Sequence, residues 1–331
     1  MNKSKVKNSV LFIGVSIGLI LAFLVAVGMG SVDIPITEIV QTLMGKETPN
    51  GAILMDIRLP RVIIALLVGA SLSISGVLLQ AVMRNPLADP GITGISSGAS
   101  VTTMLMMLYF PQFTSVIPVI GFTGGMLACI LVYALAWKKG ISAIRIVLAG
   151  VAVNAVLGGI SGMLSILNSD KLSSVLMWMN GNIGNKSWDD VRILGFYTLI
   201  GLVVAYPLFK SCNLLSLGDK TAQGLGVNVH SQRMLISAVA VFLAGITTSM
   251  VGVIGFVGLV VPHIARMIIG TDHKYLMPFS ALIGSLILVV ADTFGRTVAS
   301  PYEIPVGIVM AVLGGPFFLY LLRKGGANYG G

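Results

Sequence analysis

An all-helical membrane protein of about ten crossings is the fold class this sequence predicts, and three observations predict it. Apolar residues fill 56% of the 331 positions and charged residues 10%, at a mean hydropathy of +0.96. One soluble core cannot hide that much apolar surface, so part of it must face lipid. Runs of roughly 20 apolar residues, the length that crosses the hydrocarbon, recur at 10–29, 62–83, 92–110, 116–137, 144–167, 193–209, 234–254, 256–269, 277–291 and 304–322. Forty glycines suit helices whose backbones approach closely in a bilayer. Residues 1–331 read as one polytopic domain.

The first run follows Lys3, Lys5 and Lys7 in the manner of a signal peptide. Its length and the lack of a small-x-small cleavage site make it a retained first span. The runs at 256–269 and 277–291 are short for a crossing, and only Gly252 and Gly255 mark the break before Phe256. Such spans either line a ligand site or extend a few residues into the interface, and both readings stand.

Ten crossings place both termini on one side, and the basic residues say which. With a cytoplasmic N-terminus, fourteen of the 21 Lys and Arg fall inside, among them Lys138, Lys139, Lys210 and Arg323, and nine of the twelve acids fall outside. That asymmetry fits the retention of basic loops in the cytoplasm and a bacterial cytoplasmic membrane. Gly69, Ser73, Gly76 and Val77 recur in spacing as Gly245, Ser249, Gly252 and Val253. An inverted repeat would produce this, and so would chance among small residues.

Several function classes drop out. The net charge of +9 is scattered singly between apolar runs, not gathered into a stripe for nucleic acid. Cys129 and Cys212 have no metal-ligand spacing and read as packed thiols. No Walker-type loop, His-Glu-x-x-His or Gly-x-Ser-x-Gly occurs, and the three histidines lie far apart. The expectation is a non-enzyme with no catalytic residue, no metal site and no cofactor of its own. Seventeen methionines are packing material, not metal ligands.

The largest loop assigned to the cytoplasm, 210–233, has leucines and an alanine at helical spacing with glycines at each end, which predicts two short helices joined by a tight turn. Its Leu217-Gly218-Asp219-x-x-Ala222-x-x-Leu225-Gly226-Val227-Asn228-Val229 resembles the coupling loop of the FecCD family, the permease subunits of ABC importers for iron-siderophores, haem and vitamin B12. Arg58-Leu59-Pro60-Arg61, Asn85-Pro86-Leu87-Ala88-Asp89-Pro90-Gly91, and Ala291-Asp292 with Arg296 before Pro305-x-Gly307 carry the same resemblance, which covers nearly the whole chain.

The resemblance implies a permease that pairs with a second permease, identical or homologous. It implies two cytoplasmic ATPase subunits, which bind ATP and magnesium, and an extracytoplasmic substrate-binding protein. Leu217, Gly218, Asp219, Ala222, Leu225, Gly226 and Val227, in the coupling helices between spans six and seven, would transmit ATPase closure to the membrane helices. Arg58, Arg61 and Arg296 would meet carboxylates of the binding protein, for which a guanidinium fork is suited; for Arg296 a pair with Asp292 one turn earlier is the other reading. Asn85, Pro86 and Leu87 match a cytoplasmic gate, or else form a rigid connection.

Gly150, Asn154, Gly158 and Gly162 recur every fourth residue and share a helix face, as pathway lining or as a packing seam. Trp178, Asn180, Asn182, Trp188, Asp189 and Asp190 read as interfacial tryptophans and helix-start carboxylates, with contact to the binding protein also open. The expected cargo is an iron-siderophore complex, with haem or a corrinoid as the alternative. A secondary transporter would need intramembrane ion-binding groups, for which Asp292 is the acidic candidate.

Overall fold

The computed structural model describes residues 3–30, 32–137 and 143–325. Lys138 and Lys139, counted toward the cytoplasmic side, lie outside them. The described residues form helices and connecting turns with no strand: α1 (Lys3–Gly28), α2 (Ile36–Leu43), α3 (Leu59–Met83), α4 (Ile95–Tyr109), α5 (Ile117–Ala136), α6 (Ala143–Leu167), α7 (Leu172–Met179), α8 (Trp188–Ala205), α9 (Phe209–Ser216), α10 (Asp219–Gly224), α11 (Val229–Val251), α12 (Val257–Ile269), α13 (His273–Thr297) and α14 (Val306–Gly325). A π-helical turn, Ile53–Arg58, leads directly into α3.

Among the described residues, seven helical stretches are long and apolar enough to cross a membrane: Val6–Gly28, Ile53–Met83, Ile117–Ala136, Ile144–Leu167, Trp188–Ser216, Val229–Val251 and His273–Thr297. Three shorter apolar helices, Ile95–Tyr109, Val257–Ile269 and Val306–Tyr320, occupy the other three predicted runs. The run at 92–110 begins with a 3-10 turn, Pro90–Thr93, so α4 keeps only 15 residues, or roughly 22 Å of helix. The run at 277–291 departs the other way. It belongs to a 25-residue helix, α13, because its flanking polar residues continue the helix.

Burial sorts the long helices. In α3 83% of the spanning window is buried within the chain, and in α11 78%, against 11% for α1 and 22% for α6. Helix α3 is therefore the axis, with α8, α11, α12 and α13 packed around it. The approach to α13 depends on Gly69 and Gly284, since a Cβ on either would overlap the backbone of the other. Such small-residue contacts bring bilayer helices into van der Waals range.

Helix α11 stops at Gly252, whose φ of +81° falls in the region glycine tolerates, and a Cβ there would overlap the Trp178 carbonyl. Phe256, at φ +66°, starts α12 after the break. The two quartets of the repeat therefore occupy unlike local positions: Gly76 packs on Gly258 inside a helix, whereas Gly252 ends one.

Candidate functional site

The sequence-predicted residues gather at the two ends of α3, which its 25 residues separate by roughly 37 Å. At the C-terminal end the helix closes on Arg84 in the left-handed region, φ +48°. A non-glycine residue there is uncommon and costs backbone energy. Asn85 then turns the chain, its Oδ1 accepting from Leu87 N at 2.9 Å. Arg84, Asn85 and Leu87 are exposed.

The short pair α9 and α10 lies beside this turn, joined at Leu217-Gly218. Of the two short helices the motif suggested, only α10 is separate: α9 continues the stretch Trp188–Ser216 beyond a 3-10 turn, Tyr206–Leu208, and Gly218, φ +102°, sits at the joint instead of at an end. Ala222 is fully buried while Leu217 and Leu225 are 57% and 60% exposed, so the pair anchors by its small face and shows its large apolar residues. Gly226, φ +83°, closes α10 with open space around it. Val227 is half-buried and packs on the core.

Two polar anchors hold the pair. Asn213 of α9 donates to Asp272 Oδ1 at 2.8 Å and accepts from His273 N at 3.0 Å at the start of α13. Asp219 of α10 accepts two bonds from Arg233 of α11, at 2.9 and 3.1 Å, and stands 3.9 Å from Arg84 Nη1.

Sequence reasoning missed Gln80, a buried amide inside the apolar α3. Its Oε1 accepts from Arg266 Nη2 at 2.9 Å, and its Nε2 faces the carbonyls of Ala88, Gly258 and Leu259 at 3.3–3.4 Å. A lone Gln in an apolar run was the available signal; its partner 186 positions on was not. A cavity of about 450 Å³ opens between this amide, Arg84, Asn85, Pro86, Ser216, His263 and Arg266. Beyond Pro86, Asp89 Oδ1 accepts from Gly91 N at 2.8 Å; burial pushes its carboxyl up from the ordinary range, against that bond.

At the other end of α3, Arg58, Arg61 and Arg296 come together and are buried, at 4%, 8% and 7% exposure. Arg58 donates to the carbonyls of Val27 (2.8 Å), Gly28 (2.6 Å) and Val32, and Arg296 to that of Ala26. Two guanidinium groups thus donate to the carbonyls at the C-terminal end of α1, where a helix favours positive charge, sharing that of Gly28 with Ile34 N. Arg61 grips Asp292 in a fork, Nε to Oδ2 at 2.9 Å and Nη2 to Oδ1 at 2.9 Å, and reaches the half-exposed Glu303 at 2.8 Å. Asp292 therefore pairs with Arg61 and not, as the helix spacing allowed, with Arg296; its carboxylate turns toward α3, where the guanidinium fork offers two parallel bonds.

The face shared by Gly150, Asn154 and Gly158 divides. Gly150 is pressed against the Ile92 carbonyl, and Asn154 donates to Gly91 O at 3.1 Å and accepts from Ser97 at 2.8 Å, so both belong to a seam with the Pro90–Thr93 turn and α4. Gly158, Gly159 and Gly162 have open space beside them.

Among the loop residues, Ser187 and Asp190 form a reciprocal capping box at the start of α8, the expected helix-start carboxylate. Trp188 Nε1 donates to Met55 O at 2.9 Å. Burial holds Lys186 below the usual lysine range, opposed by Asp190. Among the described residues no group of three or more His, Cys, Asp or Glu is placed to hold a metal.

Comparison with known proteins matches the model of the FecCD transport family to residues 18–324. The chain is 40% identical over 307 residues to the iron(III)-citrate import system permease YfmE of Bacillus subtilis, covering 92% of each chain. It is 36% identical over 338 residues to the iron(III)-hydroxamate import system permease FhuG of the same organism, covering 97% of this chain and 99% of that one. A solved metal-chelate-type ABC transporter in an inward-facing conformation superposes with a TM-score of 0.84 at 29% identity, over 96% of this chain and 99% of that one.

Proposed function

The chain belongs to the FecCD transport family, and from that premise we propose that it is the transmembrane permease subunit of an ABC importer that brings iron(III)-siderophore-type chelates into the cytoplasm. The observation that carries the reading is the meeting of α9 and α10 with Arg84-Asn85-Pro86-Leu87 at one end of α3. A short helix pair with exposed leucines, suited to a partner protein, touches the irregular segment that would narrow a pathway.

Helices α4, α12 and α14 complete ten crossings by joining the seven longer spans, with both termini cytoplasmic. Leu217, Leu225 and Gly226 face the cleft of an ATPase subunit, which binds the ATP and magnesium; Gly218, Asp219, Ala222 and Val227 fasten that loop to the bundle. Two such permeases, identical or homologous, enclose the pathway. Gly158 lines it, with Gly150 and Asn154 fixing α6 behind it, and Asn85, Pro86 and Leu87 close its cytoplasmic end.

A binding protein docks at the outer end, over the surface held by Arg58, Arg61 and Arg296. Because these arginines already serve acceptors within the chain, docking carboxylates would exchange with Glu303 at Arg61 or meet the surface the cluster shapes. Arg61 neutralises Asp292, which weighs against an ion-coupled carrier that needs this carboxylate for its ion.

Uptake of radiolabel tests the reading in cells with and without the chain, supplied with radio-iron as iron(III)-citrate, an iron(III)-hydroxamate or haem, or with radio-cobalt cobalamin. Uptake of an iron(III) chelate that disappears with the chain and returns on complementation supports it. Undiminished iron uptake with loss of haem or cobalamin uptake moves the cargo to that class.

A further inference from the structure

We infer that Asp219 positions the gate-bearing end of α3 against the coupling helices, gripping Arg233 of α11 firmly while drawing in Arg84, the residue that precedes Asn85-Pro86-Leu87. The inference rests on the importer reading and supplies the link which that reading lacks, from the loop the ATPase would move to the segment that would open.

The two contacts of Asp219 differ in kind. The Arg233 contact is a two-bond fork at 2.9 and 3.1 Å to a guanidinium only 9% exposed, the geometry that fixes orientation as well as distance. It makes α10 move with α11. The Arg84 contact is longer, 3.9 Å, between side chains 47% and 43% exposed, in the range where an ion pair contributes little standing stability. A weak pair at a moving joint can form and break within a transport cycle.

Three further features fit a joint at this place. Arg84 is the point where α3 ends in the left-handed region, so a change in its backbone redirects the three residues after it. Gly218, at a φ of +102° that glycine adopts readily, turns the chain between α9 and α10 beside the Arg84 guanidinium. Behind Asn85 and Pro86 the cavity of about 450 Å³ gives the segment somewhere to go, and the Gln80–Arg266 bond ties its far side to α12.

The test uses the full complex with its ATPase in nucleotide-filled and nucleotide-free states. Both native cysteines are buried, so a Leu87→Cys change introduces an exposed reporter whose rate of maleimide labelling reads the segment. In this background Arg84→Gln leaves the Asp219–Arg233 fork intact and so separates the joint from the fold of the loop. The expected result is a fivefold or greater loss of the nucleotide-dependent change in labelling in Arg84→Gln, with the response regained in Arg84→Lys and ATP still hydrolysed. A loss smaller than fivefold in Arg84→Gln overturns the inference. A parent complex that hydrolyses no ATP overturns the importer reading itself, and the joint falls with it.

Discussion

Replacing Asp292 by Ala strips Arg61 of its buried partner and leaves a guanidinium 10% exposed with only Glu303, itself 49% exposed, to answer it. Removing one member of a buried pair costs about 3–5 kcal/mol, because the remaining charge cannot return to water. Spread over 331 residues at about 2.1 cal/mol/K each, the unfolding entropy is roughly 0.7 kcal/mol/K, so the midpoint should fall by about 4–7 °C.

The assay is thermal unfolding of the purified protein in detergent, followed by a thiol-reactive fluorogenic dye. Cys129 and Cys212 are free and buried, so they report the loss of the fold without any added probe. The double change Asp292→Leu with Arg61→Met removes both charges and should recover most of the loss. A midpoint in Asp292→Ala equal to the parent's, or a double variant no better than the single one, would refute the claim that this pair is a buried strut between α3 and α13.

Three shorter predictions follow from the same structure. Gly150→Ala forces a methyl onto the Ile92 carbonyl and should lower the unfolding midpoint or yield, whereas Gly158→Ala meets nothing and should fold as the parent does; gel filtration and the same dye assay compare them. Asp89→Asn keeps an acceptor for Gly91 N and removes the charge that burial disfavours. Because burial raises the folded-state pKa of Asp89, its contribution is present below the unfolded value and lost as pH rises through the folded one, so Asp89→Asn should gain stability over the parent as pH rises above the ordinary carboxylate range. Gly226 sits at φ +83°, and Gly226→Val should distort the end of α10 and reduce uptake at least tenfold while the protein still reaches the membrane, measured by radio-iron uptake beside a membrane immunoblot.

Hydropathy made the helical architecture legible, since every predicted run contains an apolar helix. Where helices stop was harder to read. The run at 277–291 looked short because His273, Lys274, Asp292 and Arg296 bracket it, yet these residues lie inside α13, where Asp292 and Arg296 find partners on α3 and α1. The reverse happened at 92–110, where Pro90 and Gly94 make a 3-10 turn ahead of α4 from residues no more polar than a span.

The candidate site shows the same division between local and distant information. The motif at 217–227 located α10 and its joint with α9, and Asp189 with Asp190 announced the start of α8, because both are set by neighbours in sequence. That Arg58 and Arg296 turn inward to cap α1 could not be read. Their acceptors are backbone carbonyls about 30 and 270 positions away, and a carbonyl carries no residue type to betray it. The Arg61–Asp292 fork spans 231 positions, and the local i,i+4 spacing offered the wrong partner for Asp292.

The most direct test of the central claim reconstitutes the permease with its ATPase and binding protein in liposomes and measures iron(III)-chelate uptake under two energy supplies. Accumulation should require enclosed ATP, persist when an ionophore collapses the ion gradients, and be lost with Gly226→Val. Accumulation that follows an imposed proton or sodium gradient and ignores ATP would contradict the claim.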